Sequence, residues 1–323
     1  MQLLIKHIYI VHQLLLRMYA LNINELRTFK AICDGTGSTA GLAKALNVSP
    51  ISVYRAIQSL SSMKLIEARR TGKRLLHSPS AHGHSKALAA YLRGNGRPIE
   101  PLIGSRLLVL LSVSSIPKSL DRVAEEVMLT SESVRRIVWT LKGFGAIRQD
   151  KSTISIPQQD TALVRFLQDF SRGASMATLD SIAPAGTILW NEGLEFIFTS
   201  RAPVSSRGVS ETGITAMSKR GLQFISDTRY YHCAYWRPRL KKEDIAMHQI
   251  LIDPNSTRNI SYGLLFLMRG GYNPAYLAKA GYAIGAGVLA IHITEYLKGE
   301  VVDNPHFPNE SDMEQLRAQY GVK

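Results

Sequence analysis

The chain has 323 residues, of which 45% are hydrophobic and 20% are charged, a composition typical of a globular protein with two or three domains. Its 39 basic and 25 acidic residues give a formal net charge of +14, so we expect an acidic partner such as nucleic acid or a membrane surface. The two cysteines, Cys33 and Cys233, exclude a disulfide scaffold and are typical of a reducing cytoplasm.

The positive charge is concentrated near the amino terminus. Residues 1–103 contain 14 basic and 4 acidic side chains, residues 104–173 contain 10 and 7, and the remainder contain 15 and 14. We therefore expect the acidic partner to bind the first third of the chain.

Residues 1–21 are apolar but interrupted by charged and polar side chains, and they predict neither a membrane span nor a signal peptide. An amphipathic helix that packs or dimerises is expected instead. Its apolar side would consist of Leu4, Val11, Leu14, Leu15 and Met18. The alternative is that Met18 is the true start of the protein.

The stretch 49–63 predicts a helix that packs on one face only. Ser49 is suited to cap the helix and Pro50 to occupy its first position. The apolar positions that recur at helical spacing are Val53, Ala56, Ile57 and Leu60. The side chains available to contact a ligand are Ser49, Ser52, Tyr54, Arg55 and Gln58.

The elements on either side of this helix predict a winged helix over residues 22–95. Ser38 is suited to cap a preceding short helix, and residues 47–49 form the tight connection of a helix-turn-helix. Residues 65–68 and 75–77 predict two short strands joined by a basic turn. The cations of this turn are Arg69, Arg70, Lys73 and Arg74.

The sequence Ser-Pro-Ile-Ser-Val-Tyr-Arg at 49–55, followed by Leu60 and by Lys64-Leu65-Ile66, resembles the MarR and ArsR-like winged-helix regulators. Their recognition helices often have Ser-Pro-x-Thr-Val-x-Arg, then a leucine and Gly-Leu-Ile, so Lys64 departs from the pattern. The resemblance covers residues 22–80. It implies that the helix enters the DNA major groove, while the basic turn lies along the minor groove or backbone.

A second copy of this pattern follows at a constant offset along the chain. Caps and apolar positions agree over about 45 residues, which requires both cap spacing and helical phase to match. The corresponding pairs include Leu26 and Leu107, Phe29 and Leu110, Ser38 and Ser119, and Ser49 and Thr130. We therefore predict a second winged helix over residues 104–173.

The second copy has a different charge pattern. It keeps Arg135 and Arg136 in the helix equivalent to 49–63, but its turn has lost the arginine cluster and acidic residues surround the helix-turn-helix. Acidic groups weaken contact with phosphates. Both a second DNA contact and a purely architectural or dimerising role remain open.

Residues 174–323 predict an α+β domain for regulation or oligomerisation. Strands are expected at 187–190, 194–199, 229–236 and 250–252, and helices at 261–269 and 275–298. The sequence Thr-Gly-Ile-Thr-Ala at 212–216 and the later stretch 264–278 are similar to the C-terminal region of AbiEi-type antitoxin and repressor proteins. That resemblance implies a degenerate nucleotidyltransferase-like fold, archaeal DNA-binding relatives and a toxin as an alternative partner.

No motif predicts catalysis, a cofactor or a metal site. Asp312 and Glu314 have the spacing of paired metal ligands, but no glycine-rich turn precedes them, and Asp244 adjoins Glu243 in a way that would separate their side chains on a strand. His82 and His84 are expected to be solvated in a polar loop. We therefore predict that the protein is not an enzyme.

An aromatic and basic cluster lies further along the chain. The cluster could line an effector pocket or stack on unpaired bases. The simpler interpretation is that alternate residues of a strand fill a core. Its members are Tyr230, Tyr231, Tyr235, Trp236, Arg237 and Arg239.

The sequence as a whole predicts a cytoplasmic, sequence-specific DNA-binding transcriptional regulator acting as a repressor. Its partners would be double-stranded DNA and a second copy of itself, with a small-molecule effector or a toxin at the C-terminal domain and no membrane association. An AbiEi-like antitoxin and autorepressor, or a plasmid or viral replication initiator, are the alternatives.

Overall fold

The computed structural model describes residues 12–13, 15–16, 18–72, 74–93, 97–237 and 239–322. Within them the protein is a mixed α+β structure with fourteen α-helices, three small sheets and no closed barrel. It divides into a first unit, residues 1–178 with 192–194, and a second unit, residues 179–191 with 195–323.

The first unit begins with three helices and a hairpin. These are α1 (Ile23–Cys33), α2 (Thr39–Leu46), α3 (Pro50–Ser62), β1 (Ile66–Thr71) and β2 (Arg74–Pro79), followed by α4 (Gly83–Arg93). Asn22 and Glu25 form a reciprocal capping box at the start of α1, in which each side chain accepts from the backbone N–H of the other. Strands β1 and β2 pair antiparallel over six residue pairs.

The same order of helices follows in the second half of this unit. The elements are α5 (Ser105–Ser112), β3 (Lys118–Ser119), α6 (Leu120–Val127), α7 (Ser131–Gly143), β4 (Arg148–Asp150), β5 (Thr153–Ser155) and α8 (Thr161–Ile182). Strands β3, β5 and β4 form a three-stranded sheet in that order. The hairpin of β4 and β5 is shorter than that of β1 and β2. At the position that corresponds to β3, the described part of the first copy has a single backbone hydrogen bond, from the N–H of His77 to the carbonyl oxygen of Gly37.

The constant offset of the sequence repeat recurs in the structure. Helices α6 and α7 begin and end at the positions that correspond to the first and last residues of α2 and α3. Asn47 and Met128 end α2 and α6 in the left-handed conformation, with φ of 52° and 54°. The side-chain caps also correspond, since Ser49 and Thr130 each accept a hydrogen bond from the backbone N–H three residues later. Equivalent cap residues and equivalent left-handed residues therefore mark the ends of equivalent helices.

The second copy contains a buried charged cluster centred on Glu126. This side chain is 2% exposed and accepts hydrogen bonds from Lys118 Nζ at 2.9 Å, Arg122 Nε at 2.7 Å and Ser112 Oγ at 2.7 Å. The first copy has no equivalent, because its corresponding positions hold only small, uncharged residues, namely Ala31, Gly37, Gly41 and Ala45. The cluster connects α5, β3 and α6 of the second copy.

Helix α8 continues through Gly173, where the sequence predicts a domain boundary. A Cβ on Gly173 would lie 2.5 Å from Nδ1 of His84, so a side chain there would clash with the ring. His84 donates from Nε2 to the carbonyl oxygen of Met63 at 2.9 Å and is buried, which corrects the prediction that His84 is solvated. Gly173 therefore serves a close approach inside a helix of 22 residues.

The amino-terminal segment packs within the first unit where it is described. Positions 12, 13, 15, 16, 18 and 19 are helical, and Leu15 and Tyr19 are buried. Nδ1 of His12 lies 2.7 Å from the Val127 carbonyl oxygen. Leu4, Val11 and Leu14 of the predicted apolar side lie outside the described residues. Among the helices described here, none is both long enough and apolar enough to cross a bilayer.

The second unit combines one sheet with a group of helices. Its elements are β6 (Thr187–Glu192), β7 (Glu195–Ser200), β8 (Val209–Glu211), α9 (Gly213–Lys219), β9 (Arg229–Cys233), α10 (Lys242–Ile252), α11 (Thr257–Met268), α12 (Pro274–Ala283), α13 (Gly287–Leu297) and α14 (Glu310–Tyr320). The strand order is β6-β7-β9-β8. Leu179 and Ala183 share one core with strands β7 and β9, and the helices enclose a second, larger core.

Two predictions for this unit are wrong. Residues 250–252 are not a strand but the last turn of α10, whose residues 243–250 are buried throughout, so that no amphipathic pattern marked the helix. The predicted helix 275–298 is two helices, α12 and α13. They approach so closely that a Cβ on Gly281 would lie 2.4 Å from the Cβ of Ala290. Gly285, with φ of 74°, lies in the break between them.

Buried polar side chains link β7, β9 and α10. Nε2 of His232 lies 2.9 Å from a carboxylate oxygen of Glu195, and the ring of His232 packs 4.4 Å from that of His248. Nδ1 of His248 lies 2.9 Å from Oγ1 of Thr212. Burial lowers the pKa of His248 well below its ordinary value, and the neighbouring His232 lowers it further. His248 is therefore neutral in the folded protein at neutral pH.

We predict that replacing Glu126 by Ala lowers the free energy of unfolding by about 3 kcal/mol, because Lys118 would remain buried without its carboxylate. Replacement of Glu125, whose side chain is 58% exposed, is the matched control and should cost about 0.5 kcal/mol or less. Urea unfolding followed by circular dichroism measures both. Equal losses for the two variants would contradict the assignment of a buried charged cluster.

We also predict that acid destabilises the second unit through His248. The unfolded chain binds a proton on this side chain below about pH 6.5, whereas the folded chain does not, so the free energy of unfolding falls as the pH decreases through that range. Unfolding titrations should show a shallower pH dependence for His248→Gln, by up to about 1.4 kcal/mol per pH unit. Identical slopes for the wild type and His248→Gln would refute the prediction.

Candidate nucleic-acid interface

Helix α3 is held to the first unit by the apolar stripe that the sequence predicts. Val53, Ala56, Ile57 and Leu60 are all buried, at 5% exposure or less. Ser49 Oγ accepts a hydrogen bond from the backbone N–H of Ser52 at 3.2 Å, with Pro50 at the first helical position. One face is therefore fixed by packing, and the opposite face points to solvent.

The side chains predicted to contact a ligand lie on that outward face. Tyr54 is 59% exposed, and Arg55 and Gln58 are also exposed. Ser52 is half-buried, and its hydroxyl lies 2.9 Å from that of Ser49, so these two serines are partly engaged in the cap. Tyr54, Arg55 and Gln58 therefore form the part of the surface that is free to bind a ligand.

The hairpin beside α3 differs from the prediction. Arg69 and Arg70 belong to β1 rather than to a turn, and they lie across from Leu76 and Leu75 of β2. Adjacent residues of a strand point to opposite faces, so the two arginines project from different faces of the hairpin. Arg74 begins β2 across from Thr71, and Lys73 lies outside the described residues. Cross-strand pairing extends the strands almost to Gly72, which leaves little chain for a turn.

The surface around α3 and β1 carries exposed arginines that form no described ion pair, with Glu67 of β1 as the acidic side chain beside them. Arg55, Arg69 and Arg70 are exposed, and within the described residues none of them forms an ion pair. In the sequence Glu67 is the one acidic residue between Asp34 and Glu100. Exposed arginines without carboxylate partners keep their full charge available for an acidic ligand.

On the equivalent helix of the second copy, the positive charge is partly compensated. Arg135 and Arg136 are exposed but contact the carboxylate of Glu132 at 2.6 Å and 3.2 Å. The hydrogen bond from Arg136 is the main cause that lowers the pKa of Glu132, so this carboxylate stays ionised. Trp139 on the same helix is 79% exposed. The two copies thus present different surfaces on equivalent helices.

Three apolar side chains near the interface were not predicted to be exposed. Ile51 is 66% exposed at the start of α3, and Leu75 and Leu76 on β2 are 53% and 36% exposed. In the sequence Ile51 lies outside the apolar stripe of α3, and this spacing was the signal that could have predicted its exposure. These side chains could contact the apolar parts of a ligand beside the arginines.

The aromatic and basic cluster at 230–239 does not form one surface. Tyr231 is 1% exposed, stacks on Phe198 and accepts a hydrogen bond from the backbone N–H of Val204. Arg237 contacts Asp244 at 3.0 Å and donates to the hydroxyl of Tyr276. Tyr231 therefore fills the core, as the simpler interpretation predicts, and Arg237 is engaged by an ion pair. Tyr230, Tyr235 and Trp236 are half-buried and Arg239 is exposed, so the effector pocket stays a prediction for these four residues.

The carboxylates considered for metal binding are also not grouped. Asp244 is 1% exposed and accepts hydrogen bonds from Tyr276 and from the backbone N–H of Lys241. Asp312 and Glu314 are exposed on α14 on either side of the buried Met313. Within the part of the chain that the structure describes, no group of three His, Cys, Asp or Glu side chains could hold a metal ion.

Comparison with protein-family models, curated proteins and solved structures finds no match to this chain.

The two faces of α3 should respond differently to substitution. We predict that Tyr54→Ala and Gln58→Ala change the free energy of unfolding by about 0.5 kcal/mol or less, because these side chains contribute little to packing. Ile57→Ala on the buried face should cost about 2–4 kcal/mol. Urea denaturation of the three variants tests this, and a loss for Tyr54→Ala as large as that for Ile57→Ala would show that the outward face serves stability.

Proposed function

We propose that this protein is a sequence-specific DNA-binding transcriptional regulator whose first copy, residues 22–95, is a winged helix that contacts duplex DNA. The observation that supports this most is the outward face of α3. It carries Tyr54, Arg55 and Gln58, all exposed, beside two arginines of β1 that have no described ion-pair partner.

The proposed mechanism follows from the geometry of DNA. The major groove admits an α-helix, and an exposed arginine can donate two hydrogen bonds to guanine O6 and N7, a contact that contributes about 1–3 kcal/mol of discrimination. Arg55 would make this contact, with Tyr54 and Gln58 on adjacent base edges or phosphates. In such a complex the β1–β2 hairpin lies along the backbone.

The hairpin has a specific consequence for this contact. Because Arg69 and Arg70 lie on opposite faces, one of them would contact a phosphate while the other raises the positive potential around the site. Each phosphate contact releases counterions and makes the affinity depend on salt. The hairpin would therefore contribute affinity, and α3 the sequence preference.

The second copy, residues 104–173, would serve mainly as an architectural winged helix. Glu132 contacts both Arg135 and Arg136 and offsets one of their two positive charges, and its own charge would repel a phosphate. The exposed Trp139 fits contact with protein better than with the DNA backbone. We propose that the protein acts as a dimer on a palindromic operator, since two-fold symmetry of the protein matches that of such a site.

The direct test is a genome-wide map of the DNA that co-purifies with the full-length protein. Discrete sites are expected for the wild type, and they should disappear in Tyr54→Ala/Arg55→Ala. The matched control is Arg135→Ala/Arg136→Ala, which changes the equivalent helix and should keep the sites. Diffuse or absent enrichment for the wild type would refute sequence-specific binding, and sites at an origin instead of promoters would favour a replication initiator.

Salt dependence tests the hairpin separately. With a site from the map, the slope of log affinity against log salt should decrease in magnitude by about 0.9 in Arg69→Ala/Arg70→Ala, because the variant neutralises one phosphate fewer than the wild type. Fluorescence anisotropy with a labelled duplex measures this slope. An unchanged slope would remove the hairpin from the interface.

A further inference from the structure

The second unit contains an open cleft of about 650 Å³ that the proposed DNA contact does not use. It lies where the loop after α9, the first half of α11 and the end of α14 meet. Its volume falls within the range of about 300–1,000 Å³ that is usual for small-molecule sites.

Three aromatic rings form one wall of this cleft. The ring of Phe224 lies 4.5 Å from that of Tyr262 and 5.1 Å from that of Tyr320, measured between centroids. All three side chains are half-buried, so each contacts the protein and is also accessible from the cleft. Such rings offer faces and edges on which a planar ligand can stack.

A guanidinium group lies beside these rings. Nε of Arg258 donates to the hydroxyl of Tyr262 at 3.0 Å, and its guanidinium carbon lies 5.3 Å from the centre of that ring. The ring of Tyr262 also lies edge-on to that of Tyr320, with 6.3 Å between their centroids. Within the described residues Arg258 contacts no carboxylate, so its terminal nitrogens can bind an anion held by the cleft.

Two side-chain amides complete the polar lining. Gln223 and Gln319 line the cleft, and neither amide makes a hydrogen bond within the described part of the chain. The described lining residues include no aspartate or glutamate, so Arg258 sets the sign of the charge. An apolar wall with a few convergent polar groups is the usual composition of a ligand site.

We propose that this cleft binds a planar anion, an aromatic or heteroaromatic ring that carries a carboxylate or a phosphate. The ring stacks against Phe224 and Tyr320, the anionic group accepts hydrogen bonds from Arg258, and the two amides pair with polar atoms on the ring. Aromatic carboxylates and mononucleotides share this chemistry. The proposal does not depend on DNA binding, because every residue that carries it belongs to the second unit.

Calorimetric titration of the full-length protein tests the proposal with two pairs of probes. The difference in affinity between adenosine 5′-monophosphate and adenosine measures the contribution of the anionic group. The difference between benzoate and cyclohexanecarboxylate measures the contribution of the aromatic ring. We expect at least one of the two anionic aromatic probes to bind, and its partner in the pair to bind about tenfold more weakly or worse. Which of the two binds identifies the source of the ligand.

Variants then locate the site. Arg258→Leu and Tyr320→Leu should each weaken binding about tenfold, whereas Arg201→Leu, an exposed arginine of the same unit that does not line the cleft, should leave it unchanged. Arg258 is exposed, so its replacement should not unfold the protein, and circular dichroism verifies this. The proposal is overturned if neither anionic probe binds at millimolar concentration, if adenosine binds as tightly as its monophosphate, or if folded Arg258→Leu binds as the wild type does.

Discussion

The buried stripe of α3 is the constraint on which the candidate interface depends. A helix has 3.6 residues per turn, so packing Val53, Ala56, Ile57 and Leu60 inward leaves the intervening positions no direction except solvent. The cap at Ser49 sets where the helix begins and therefore the phase of this pattern. Tyr54, Arg55 and Gln58 are exposed because the core holds the other side of their helix.

The two copies in the first unit show how one arrangement of helices can carry different surfaces. Caps and helix breaks correspond at a constant offset, while the charged residues between them do not. In the first copy arginines are exposed without carboxylates, whereas in the second copy Glu132 engages the exposed arginines and Glu126 engages a buried lysine. An exposed ion pair contributes little to stability but cancels the field of both partners, so its main effect is on what the surface can bind.

In the second unit, some polar groups contact each other within the fold, and others lie at an open cleft where they can bind a ligand. Asp244, His232 and His248 are buried and Arg237 is half-buried, and all four contact one another or neighbouring side chains. The burial of His248 gives the unit its expected sensitivity to acid. Arg258 has a tyrosine hydroxyl as a partner and no described carboxylate. In a low-dielectric core an unsatisfied charge is costly, whereas at an open cleft water can solvate it until a ligand arrives.

The sequence by itself determined the features that depend on neighbours along the chain. Cap residues, helical spacing and the repeat predicted α2, α3, α6 and α7 closely, because these signals act within a few residues. Only the tertiary structure decided what depends on distant partners. Gly173 lies inside α8 because His84 packs against it too closely for any side chain, and cross-strand pairing places Arg69 and Arg70 on opposite faces of a hairpin. The three rings of the cleft come from a loop, α11 and α14, positions 224, 262 and 320, and no local pattern connects residues so far apart in sequence.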